Sequence, residues 1–155
     1  LPGQARGCGC FIWIHRDSIA AEYLQFWDWD GSEVSHTPLK RGFGIFVSRR
    51  NPELAASLRC ASAIGATLRR GGFEPTQWHA RKHQAADAGN GVWYYDNLVV
   101  LHKATFPAVL FEAGVIKHRE EELDLIDAER QARMADALAT GIAACLFVTG
   151  KPARE

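Results

Sequence analysis

The chain has 155 residues, 47% hydrophobic and 23% charged, which is the range of one globular domain with a real core. Lys+Arg 18 balances Asp+Glu 18, so the basic excess of a nucleic-acid binder is missing. No apolar run approaches the roughly 20 residues that span a bilayer. Residues 1–10 do not read as a signal peptide, because no basic start leads into an apolar stretch.

Phe11, Ile12, Trp13 and Ile14 form a continuous apolar run, the pattern of a strand buried on both faces, and it stops at His15. Residues 18–40 read as irregular and carry Trp27 and Trp29 alternating with Asp28 and Asp30. Residues 42–48 (GFGIFVS) read as a second strand. Asn51 as N-cap, Pro52 in the first turn and Glu53 beside the positive dipole end then start a helix. Leu54, Leu58, Ala61, Gly65 and Leu68 recur at helical spacing, and Gly71 and Gly72 stop the helix after Arg69 and Arg70.

Residues 73–96 read as a long loop. His79 and His83 stand four apart, a ligand spacing only on a helix, and the flanking glycines favour a loop. Residues 98–101 (LVVL) read as a third strand and 108–111 (AVLF) as a fourth, entered through Pro107 and ended by Glu112. A short helix over 120–126 and a long one over about 128–146 close the chain, the latter with Met134, Leu138, Ile142 and Cys145 on one stripe. Strands alternating with helices predict an α/β fold: a mixed, mostly parallel sheet with helices on both faces. One domain covers residues 1–150, and 151–155 are a tail.

Cys8 and Cys10 lack the repeated pair spacing of a zinc ribbon, and four cysteines are too few for a disulfide scaffold. All four are expected to serve as small buried apolar residues. A disulfide from Cys8 or Cys10 is the alternative.

In open α/β sheets, ligands bind beyond the carboxyl ends of strands. Two strands end in a residue fit for chemistry, one in His15 and one in Glu112. Imidazole is the commonest metal ligand, and a nearby carboxylate that is not a ligand can take a proton from water. Each residue also has a plain structural use, His15 as hydrogen-bonded scaffold and Glu112 as a solvated residue or helix cap.

These two places carry a resemblance. Residues 11–18 (FIWIHRDS) resemble the phenylalanine-isoleucine-serine-isoleucine-histidine-alanine-asparagine segment of zinc-dependent N-acetylmuramoyl-L-alanine amidases. Residues 107–114 (PAVLFEAG) resemble that family's proline-alanine-valine-leucine-valine-glutamate-x-glycine segment. Residues 41–48, 98–101, 120–123 and the final helix follow the same order. The resemblance implies hydrolysis of the amide between N-acetylmuramic acid and L-alanine in peptidoglycan, with Zn2+ as cofactor. It makes His15 a zinc ligand and Glu112 the catalytic carboxylate. It also implies a peptidoglycan or muropeptide substrate and a periplasmic or cell-wall location. Trp27, Trp29 and His102 are the candidate substrate-binding residues.

The family's first His and its Glu ligand precede the first matching segment. The chain is therefore expected to be the carboxyl-terminal part of a catalytic domain, lacking the domain's first strand and helix. Asp17, where the family has Asn, is expected to cap a turn. A wall-binding relative without a complete metal site is the alternative reading.

Overall fold

The structure is a computed structural model and describes residues 9–147. Cys8, the expected boundary at residue 150 and the tail lie outside the described residues. The strands are β1 (Phe11–Asp17), β2 (Gln25–Trp29), β3 (Ser32–His36), β4 (Gly44–Val47), β5 (Ala85–Asp87), β6 (Val92–Tyr94) and β7 (Ala108–Val115). The helices are α1 (Leu54–Arg70), α2 (Val99–His102), α3 (Arg119–Ile126) and α4 (Ala128–Phe147).

The main sheet has the order β1-β7-β4-β6-β5, with β1·β7 and β4·β6 parallel and β4·β7 and β5·β6 antiparallel. It is the expected mixed sheet flanked by helices. Alternation along the strands divides the core. Ile45, Val47, Val109 and Phe111 face α1 and α4, where Ala61, Ile64, Leu68, Met134 and Leu138 meet them. Phe46, Trp93, Ala108 and Leu110 face the other way, onto Leu101 of α2.

The structure corrects several expectations. Residues 98–101 begin a one-turn helix instead of a strand. A run of four apolar residues satisfies either form, and here the run closes the second core with Leu101 fully buried. The parallel partner of β4 is instead β6, a three-residue strand inside the segment expected to be a loop. Strand β1 is not buried on both faces. It is an edge strand paired with β7, and Ile14 is 58% exposed. Residues 25–36 form a two-stranded hairpin, turned at Asp30 and Gly31, which both have positive φ. Asn51 is not the N-cap of α1. It is buried, and its side-chain amide donates to the carbonyls of Leu101, Ala104 and Phe106.

Cys60 and Cys145 are also more than apolar filling, because they form a disulfide between α1 and α4. The two helices run in opposite directions at close approach. A Cβ added at Gly141 would lie 2.5 Å from the Ile64 Cα and 2.6 Å from the Thr67 Oγ1. The cross-link joins residues 85 apart. Changing both cysteines to Ala should therefore lower stability by roughly 4 kcal/mol, a fall in Tm of about 10 °C. An unchanged Tm would show that the cross-link holds nothing. Gly141→Ala should cost about 2 kcal/mol through overpacking, measurable by urea unfolding.

Candidate active site

The parallel register of β1 and β7 places His15 opposite Glu112. Both lie in the alternation that faces away from α1 and α4, with Phe11, Trp13, Ala108 and Leu110. Glu112 is therefore not at the end of its strand, as expected, but inside an eight-residue one. His15 is exposed. Glu112 is 9% exposed, and its Oε2 is buried with no hydrogen-bond partner among the described residues.

A cleft of about 290 Å³ opens over this pair. One wall is the segment after β1, from Asp17 to Tyr23. The opposite wall is the segment from Trp78 to His83, with Lys40 between them. The β1–β7 register shifts between His15 and Asp17, and the Asp17 Oδ1 accepts from the amide of the next residue, Ser18, at the end of β1. Its other oxygen does more. Oδ2 lies 2.6 Å from the Lys40 Nζ and 3.2 Å from the His79 Nε2. The Lys40 Nζ also donates to the Ser18 carbonyl at 2.6 Å. Burial opposes ionisation of Asp17, but hydrogen bonds from His79 and Lys40, and their charges, hold its carboxyl below the usual range.

Glu112 has the opposite fate. Burial and the nearby Asp17 carboxylate push it up to about 7, and the Lys40 charge offsets them only in part. His83 is held below its ordinary value by burial and by the charges of His79, Lys40 and Lys82. Its Nδ1 lies 3.1 Å from the Tyr94 carbonyl. A carbonyl only accepts, so Nδ1 carries the proton and Nε2 is left as an acceptor.

The expected substrate-binding residues lie elsewhere, and none of the three lines this cleft. Trp27 packs edge-on against His36 with the Arg119 guanidinium over its ring. Trp29 is 65% exposed on the hairpin. His102 has its Nδ1 3.1 Å from the Asp96 carbonyl. The reading from sequence missed Lys40 in the site and set the His79–His83 pair aside as part of a loop, whereas both histidines line the cleft. Asp17 carried a signal, two residues beyond His15 on the same strand.

The described residues fit zinc only in part. His15 offers an imidazole and Glu112 an unpartnered buried oxygen. Among the described residues, however, no group of three or more His, Cys, Asp or Glu could hold a metal ion. Catalytic zinc normally takes three protein ligands.

A family model described as N-acetylmuramoyl-L-alanine amidase matches residues 3–144. No curated protein sequence matches the chain. The amidase Ami1 of Mycobacterium smegmatis superposes with a TM-score of 0.67 at 23% identity, covering 89% of this chain and 54% of its own. The CwlD amidase of Clostridioides difficile, solved with the GerS lipoprotein, gives 0.61 at 19% identity, with 94% and 57% covered. The catalytic domain of the amidase CwlV from Bacillus (Paenibacillus) polymyxa var. colistinus gives 0.59 at 24% identity, with 90% and 59% covered. At these identities the likeness shows the fold, and the chain spans little more than half the length of each. With the family model matched along nearly the whole chain, the protein belongs to the N-acetylmuramoyl-L-alanine amidase family.

Proposed function

We propose that this domain, residues 1–150, hydrolyses the amide between N-acetylmuramic acid and L-alanine in peptidoglycan, with Glu112 as general base and then general acid. The observation that carries the reading is the state of Glu112, a buried carboxyl with a free oxygen and a pKa near 7, beside an imidazole in a cleft. A proton carrier works best when its pKa lies near the working pH. A carboxylate of ordinary pKa is a weaker base toward water and is scarcely protonated at neutral pH, so it returns a proton poorly. Glu112 at about 7 does both, first taking the proton of the attacking water and then giving it to the leaving amine of alanine.

The proposed cofactor is zinc, with His15 as one ligand. When bound, it would supply Lewis-acid polarisation of the scissile carbonyl. Burial, with the Asp17 carboxylate and against the Lys40 charge, keeps the Glu112 pKa near 7. The Cys60–Cys145 disulfide supports an oxidising location, as the periplasm or cell wall would be.

One observation favours a second reading, a wall-binding relative without chemistry, namely the incomplete donor set among the described residues. Zinc content separates the two. Near-stoichiometric zinc in the purified chain, lost in His15→Ala, supports the hydrolase. Little zinc in a folded chain would show that these residues alone do not complete the metal site, which the binder also expects.

Glu112→Gln keeps shape and removes proton transfer. Turnover of a muropeptide should fall by about 10²- to 10⁴-fold with zinc content unchanged. Loss of zinc along with activity would overturn the role given to Glu112.

The same variant tests the pKa through stability. Raising the carboxyl from 4.5 to about 7 means that the folded state binds the proton more tightly than the unfolded chain. Below pH 4.5 both states are protonated and the group is neutral in its effect. As pH rises through 7 the folded protein comes to hold an unfavourable charge, a cost of up to about 3 kcal/mol. Glu112→Gln should therefore be more stable than the parent at pH 8, with the difference gone by pH 4. Parallel stability curves would show that Glu112 titrates normally.

A further inference from the structure

The cleft wall holds an aromatic corner that the proton chemistry does not use. Tyr23 ends the short helical turn Ala21–Tyr23, and Trp78 begins another, Trp78–Arg81. The two turns come from segments far apart in sequence, and their rings meet at 5.1 Å and 83°. The Arg81 guanidinium lies 4.4 Å from the Trp78 ring and 5.5 Å from the Tyr23 ring, fixing both from one side. Both side chains are half-buried and both line the cleft that contains Glu112. Each ring thus keeps some exposed surface and contributes to the cleft lining.

A ligand that fits such a corner has an apolar face and a polar rim. The polar groups nearby suit the rim. The Ser18 hydroxyl, the exposed Lys82 ammonium and the acceptor Nε2 of His83 line the same cleft. A hexopyranose has this form, with C–H bonds on its faces and hydroxyl or acetamido groups around its edge. The alanine next to the scissile amide offers only a methyl group, a smaller apolar face than a pyranose. Resting on the amidase reading, we propose that Tyr23 and Trp78 form the saccharide subsite, stacking on the muramoyl sugar beside the scissile amide. This subsite would replace the one expected at Trp27 and Trp29.

The test uses the full chain and the peptide-free disaccharide of N-acetylglucosamine and N-acetylmuramic acid, with binding followed by saturation-transfer NMR. The parent should bind. Trp78→Leu should weaken binding by about tenfold or more, the scale of losing one stacked aromatic face, while Trp78→Phe stays within about threefold. Circular dichroism and Tm confirm that the variants fold, and Tyr23→Leu gives a second, independent loss. No binding by the parent, unchanged binding in both Leu variants, or a loss in Trp29→Leu in their place would overturn the subsite. Muropeptide cleavage, measured in parallel, separates this proposal from the one beneath it. Cleavage with KM unchanged in Trp78→Leu overturns the subsite and leaves the hydrolase standing. Disaccharide binding that depends on Trp78, without cleavage by the parent, supports the subsite and removes the hydrolase.

Discussion

Strand β7 lies between β1 and β4 and must serve two layers at once. Its period of two sends Val109 and Phe111 into the core under α1 and α4, and Ala108, Leu110 and Glu112 to the other face. A one-residue slip would exchange the two sets, placing a carboxyl among Ile64, Leu68 and Met134. The hydrophobic pattern that fixes the register therefore also aims the carboxyl. Because β1 pairs with β7 in parallel, the same register brings His15 beside Glu112. Chemistry and core share one constraint.

Putting a carboxyl inside an eight-residue strand is unfavourable, and the surroundings share the burden unevenly. Asp17 takes the Lys40 ammonium and lies within reach of the His79 Nε2, and it stays ionised. Glu112 receives no hydrogen bond to its Oε2 among the described residues, and lies in the field of a neighbouring carboxylate. Two carboxyls in one cleft are thus pushed apart in affinity for the proton, the pattern by which one acid remains a fixed charge while the other becomes a carrier. The packing around His79 is tight enough to hold this arrangement. Its ring lies 4.6 Å from that of Phe46, and a Cβ at Gly44 would sit 2.8 Å from its Nε2.

What could be read from the sequence follows from how local each signal was. The periodicity of α1 and α4 depends on neighbours in sequence, and the structure keeps those helices; His15 and Glu112 were legible too, although both lie inside their strands and not at the ends. The LVVL run misled because four apolar residues have no period, and the fold turned it into the helix that caps the second core. Asp30-Gly31 between alternating residues was a hairpin signal within reach, hidden by treating the aromatic residues around it as ligand contacts. Lys40 and the Tyr23–Trp78 corner had no local signal at all, and His79 had only its spacing to His83, which the loop reading set aside. Each joins segments tens of residues apart, and only the closed fold makes them neighbours.

The two faces of the sheet are also held by different means. On one, the disulfide and the close approach at Gly141 lock α1 to α4. On the other, the cleft is walled by short turns, tied by the Lys40–Asp17 ion pair and by Arg81 stacked on two rings. The cation–π contacts are individually small, but the Lys40–Asp17 pair is buried, so losing either partner would be costly. The cross-link thus holds the helices behind the sheet that carries Glu112, and the Lys40–Asp17 pair and the stacked Arg81 hold the turns in front of it.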